Sequence, residues 1–157
     1  MSPAKERTDE QIRIEFGPSI QPMDSWRIVL RARCDDPGDI LQKVKAVMKI
    51  VAAIPRTEWP TDHDWEEMLP DWFVTQTKEH TNEAILADER LVHWEAWLDA
   101  LKTRDWEWWD GIASDHEVVV FVTTTAWPYN IGPLVYLLHA SGAIDVEVED
   151  ESSETVT

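Results

Sequence analysis

The sequence predicts an α+β fold, a single four-stranded sheet with helices packed on it and a tryptophan-rich acidic helical insertion. Three observations lead there. Apolar residues alternate with a period of two near both ends of the chain and run continuously over Val118–Val122, whereas between these stretches they recur at helical spacing. Eight of the ten tryptophans fall between residues 57 and 113. At 157 residues the chain has the size of one domain with one core. The expected division is a flexible amino-terminal segment over 1–10, an α+β domain over 11–149 in which 57–113 is a helical elaboration, and an acidic tail over 150–157.

Along the chain, Ile12, Ile14 and Phe16 alternate with Arg13 and Glu15, which predicts a half-buried strand. Pro18 and Pro22 mark a loop. Trp26, Ile28, Leu30, Ala32 and Cys34 then form the apolar face of a second strand, with Arg27, Val29, Arg31 and Arg33 on its largely basic face. Asp36-Pro37-Gly38-Asp39 has a capping acid followed by proline at the first helical position, and Ile40, Leu41, Val44, Val47, Met48 and Val51 carry the helix towards Ala53.

Asp64 and Glu67 have the spacing of a capping box for a short helix that Pro70 limits. Asn82 is placed to cap a longer helix whose stripe is Ala87, Leu91, Trp94, Leu98 and Leu101. A further helical turn is expected from Thr103 through Trp109, closed by Gly111. Val118–Val122 is the composition of a central strand, extended by Thr123–Thr125. Asn130 is positioned to cap a helix holding Pro133, Leu134, Leu137 and Leu138, with Gly142 just past its end. Ile144, Val146 and Val148 alternate with acids as a last strand.

The formal net charge of −17 is unevenly distributed. Residues 1–56 hold 10 basic side chains against 8 acidic ones, and residues 57–157 hold 4 against 23. A negative field of that size repels phosphate backbones and anionic membranes and steers in a basic partner. Direct nucleic-acid binding and membrane association are therefore not expected. A basic protein such as a toxin or nuclease is the expected partner. The amino terminus has no apolar core like that of an export signal, and Cys34 is the single cysteine, so a reducing, cytoplasmic setting is expected with no disulfide.

Catalytic and cofactor motifs are missing. The five histidines form neither H-E-x-x-H nor E-x-x-H, and the five glycines are too scattered for a phosphate loop or dinucleotide fingerprint. Glu89 and His93 share a helical spacing, as solvated surface pairs commonly do. The reading is that this is not an enzyme and that no metal or cofactor is required. Two places remain as candidate sites. Trp106, Trp108 and Trp109 offer an aromatic anchor with Asp105, Glu107 and Asp110 as a charged rim for a protein partner. The turn holding Thr123, Thr124, Thr125, Asn130 and Gly132 runs from a strand into a helix amino terminus and is a second, small-molecule or anion-binding candidate.

In size, acidity and want of catalytic motifs the chain resembles bacterial immunity proteins and phage anti-defence proteins in a general way, with no motif that places it in either class. The resemblance implies an inhibitor that covers a basic partner. An immunity protein neutralising a toxin is the first expectation. An anti-CRISPR-like mimic of nucleic acid is the second, and a small-molecule or anion-binding enzyme the third.

Overall fold

In the computed structural model residues 9–17, 26–88, 91–124 and 130–150 are described. Four strands form one antiparallel sheet in the order β2-β3-β1-β4, namely β1 (Trp26–Arg33), β2 (Trp106–Ser114), β3 (Glu117–Thr124) and β4 (Asp145–Asp150). Seven helices accompany them among the described residues: α1 (Asp9–Phe16), α2 (Pro37–Ala52), α3 (Asp62–Met68), α4 (Asp71–Lys78), α5 (Asn82–Ala87), α6 (Trp94–Lys102) and α7 (Gly132–Ser141). The α+β class and the four-stranded sheet stand as predicted, but the strands are not the same four.

Residues 9–16 are helical where a strand was expected from Ile12 to Phe16, and the helix takes in Asp9 and Glu10 of the segment expected to be flexible. Alternation over five residues is too short to separate the two periods, and here it is the four-residue spacing of Glu10 and Ile14 that faces inward, while Ile12 is 42% exposed. The missing strand is Trp106–Ser114, where a helical turn was expected. Trp106, Glu107 and Trp108 alternate buried, exposed, buried, and the strand pairs with β3 along its length. Its register slips between Trp108 and Asp110, leaving Trp109 in a bulge.

The single helix expected over 82–101 is two helices, α5 and α6. The caps also shift by a residue or more. Thr61, not Asp64, accepts from the Asp64 amide to open α3, and Thr81, not Asn82, accepts from Ala84 to open α5. In both places the threonine hydroxyl accepts from the amide three residues on, and the acid that follows, Asp62 or Glu83, lies in the first turn where the helix dipole favours it. Asp36 caps α2 and Gly142 closes α7 at φ 125°, as expected.

One face of the sheet carries the core. Ile28, Leu30 and Ala32 of β1, Val118, Val120 and Val122 of β3, and Trp106 and Trp108 of β2 are wholly buried there against Val44, Val47 and Met48 of α2 and Leu134 and Leu137 of α7. Each of these buried valines, leucines and methionine, and Ile28, contributes about 1.5–3 kcal/mol through burial. Gly111 is required by this packing, since a Cβ there would lie 2.6 Å from the Trp108 ring and 2.9 Å from Leu41. The helical elaboration has its own aromatic layer centred on Phe73, which touches Trp72, Trp94, Trp97 and Tyr136. Five of the eight tryptophans of residues 57–113 are buried and Trp59, Trp72 and Trp109 are half-buried. Most of them build the core.

Candidate functional site

The predicted anchor divides once the segment is a strand. Trp106 and Trp108 are 0% exposed, and the Trp106 indole N–H donates to the Asn130 carbonyl at 2.7 Å. Neither meets a partner. Trp109 remains half-buried in the bulge with the Arg13 guanidinium 4.7 Å over its ring. Asp105 and Glu107 are exposed, Glu107 facing Arg13 at 3.7 Å, while Asp110 is half-buried and accepts from the Gly111 amide. Two of the three rim acids thus stay exposed and two of the three anchors do not.

Three residues that the sequence did not single out hold this edge together. The outward backbone of Trp108 is engaged by α1, its N–H by Glu10 Oε2 at 2.8 Å and its carbonyl by Arg13 Nε at 3.0 Å. Glu10 also takes both terminal nitrogens of Arg104, at 2.6 and 2.7 Å, and Arg104 donates to the Trp106 carbonyl. An edge strand whose backbone groups are satisfied by side chains cannot take another strand at that point.

The same contacts sharpen the surface charge. Of the basic residues in 57–157, Arg104 is buried against Glu10, and Lys78 pairs with Glu66. Lys102 stands in a groove of about 560 Å³ between α3 and α6, lined by Trp59, Pro60 and the carboxylates of Asp62, Glu95 and Asp99. His63 lies on the exposed side of α3 between Glu66 and Glu67, at 3.7 and 3.3 Å. Among the described residues of this region Lys102 is left as the one basic side chain paired with no other described residue, and it stands in the acidic groove itself.

The Thr123–Gly132 turn is only partly brought together. Thr124 is buried and donates to the Asp105 carbonyl at 2.8 Å, Thr123 is 8% exposed, and Thr125 lies outside the described residues. At the start of α7 the Gly132 amide donates to the Asn130 side chain, Pro133 has no N–H, and Leu134 and Val135 donate to the Ile131 carbonyl. The amides that would receive an anion are already engaged. Asn130 and Gly132 do border a cavity of about 390 Å³ with Val92, Ala96, Trp97 and Tyr136.

Tyr136 also borders a smaller, more polar cavity of about 210 Å³ with His80, Asp88 and His139. Its hydroxyl lies 2.8 Å from Thr77 Oγ1 and 2.9 Å from His80 Nε2, and burial pushes its pKa above the ordinary tyrosine value, with the Thr77 hydrogen bond opposing. Among the described residues no three His, Cys, Asp or Glu side chains are grouped so as to hold a metal ion, and no helix is long and apolar enough to cross a membrane. The Glu89–His93 pair falls outside them at Glu89.

Comparison with protein-family models, with curated proteins and with solved structures finds no match to this chain.

Proposed function

We propose that the protein is an acidic inhibitor that binds and occludes a basic protein, with neutralisation of a toxin as the first form and blockade of a defence nuclease by phosphate mimicry as the second. What carries this reading is the disposition of charge: Arg104 is buried against Glu10 and Lys78 pairs with Glu66 at the surface, while Asp62, Glu95, Asp99, Asp105 and Glu107 all remain exposed. A surface of that kind accelerates encounter with a cationic partner. The groove of Trp59, Asp62, Glu95 and Asp99 replaces the 106–109 ribbon as the anchoring place, because it combines an accessible aromatic wall with carboxylates able to bind a lysine or arginine.

The test is capture from the organism of origin with the parent protein and with a variant carrying Asp62→Asn, Glu95→Gln and Asp99→Asn. The expected result is a basic protein retained by the parent and depleted from the variant. Equal recovery by both removes the groove from the interface.

A second reading is favoured by one observation. The 390 Å³ cavity between α6 and α7 has the size and mostly apolar lining of a small-molecule site, with Asn130 and Tyr136 as its polar groups. Amide shifts around Val92, Ala96, Gly132 and Tyr136 on adding a small metabolite, unaffected by the three acid substitutions, would favour it over the inhibitor.

A further inference from the structure

The two edges of the sheet differ. At β2 the Trp108 backbone is closed by Glu10 and Arg13. At the other end of the order, β4 pairs with β1 on one side only, and among the described residues none hydrogen-bonds to its outward backbone. Such an edge offers a row of donors and acceptors to an added strand.

The side chains of β4 state what kind of strand fits. Ile144 is 50% exposed and Val148 41% exposed, with Val146 half-buried between them, so an apolar stripe on the core side runs out to the edge. On the opposite face Asp145, Glu147 and Glu149 are exposed, with Arg33 and Arg31 of β1 directly across from Asp145 and Glu147 and Arg31 reaching Glu149 at 3.5 Å, so the cations present stand on the inner side and the outer side faces none among the described residues.

We infer that β4 is a docking edge for an extended segment of the partner in which lysine or arginine alternates with β-branched apolar residues. The inference rests on the reading above that the partner is basic, and it adds to the groove at Trp59 a second contact made by an extended segment of that partner. A second copy of this chain is the wrong occupant. Antiparallel pairing of β4 with itself, in any register that keeps the valines on the core side, sets acid opposite acid, and like charges directly across a pair of strands are destabilising. An alternating basic segment sets a cation opposite each acid and continues the apolar stripe, while its main chain supplies the ladder.

The experiment titrates the isotopically labelled full chain with a short peptide of alternating lysine and valine, reading amide shifts and hydrogen exchange. Peptides with glutamate for lysine, and with the lysines and valines in separate blocks, are the controls. Shifts and slowed exchange confined to residues 145–149, with affinity lowered about tenfold or more by Asp145→Asn with Glu147→Gln in a chain whose other resonances are unmoved, are the expected result. Shifts centred on α3 and α6, equal binding of the glutamate peptide, or concentration-dependent self-association through β4 would each overturn the edge assignment. A natural partner that proves acidic would overturn the underlying reading instead, whatever the peptide does.

Discussion

Glu10 and Arg104, 94 residues apart, meet in a two-pronged ion pair with N–O distances of 2.6 and 2.7 Å, their side chains only 5% and 9% exposed. Glu10 spends a third hydrogen bond on the Trp108 amide, and Arg104 lies over the Trp106 ring at 5.1 Å. The pair fastens the amino-terminal helix to the edge of the sheet and takes a cation out of the acidic surface. Stability and surface charge are therefore linked through one contact.

Removing one member leaves the other buried and uncompensated. Glu10→Gln or Arg104→Met alone is expected to cost on the order of 3 kcal/mol in urea-induced unfolding, and the double substitution to recover part of that loss. Equal and additive losses would show that the pair is not coupled.

Tyr136 links pH to stability. Its pKa in the fold is raised above the unfolded value, chiefly by burial, so above the ordinary tyrosine range the unfolded chain binds fewer protons than the folded one. Stability is thus fully present below that range and falls as pH rises through it. Tyr136→Phe should flatten this alkaline loss. At neutral pH it should cost about 1–3 kcal/mol, because Thr77, 1% exposed, loses its hydroxyl partner. Denaturant titrations across the alkaline range check both parts.

Cys34 is expected to be unreactive. It is 1% exposed, and burial first, then the neighbouring Asp35, Asp36 and Glu117, raise its pKa and deplete the thiolate. A thiol reagent should label native protein far more slowly than denaturant-unfolded protein. Equal rates would place the sulfur in reach of solvent.

Strand β1 was legible because Trp26 to Cys34 alternates over nine residues, and α2 because capping acid, proline and apolar spacing agree. Ile12 to Phe16 was not, since five alternating residues also fit a helix whose inward side is Glu10 and Ile14. A glutamate on the buried face hides that pattern, and its reason is Arg104, far along the chain. The Trp106-Glu107-Trp108 alternation did carry a strand signal, which the bulge at Trp109 and the glycine at Gly111 obscured. The exposure of Asp105 and Glu107 was legible from charge alone. The groove at Trp59 was not, because it joins α3 to α6 across some thirty residues that no local pattern relates.

The central claim, that this is an acidic module for a basic partner, is tested most directly by the association rate with the captured partner as a function of salt. The rate is expected to fall steeply as salt rises, and the variant with Asp62→Asn, Glu95→Gln and Asp99→Asn should associate more slowly with a flatter salt dependence and a nearly unchanged dissociation rate. An association rate indifferent to salt and to those three substitutions would contradict it.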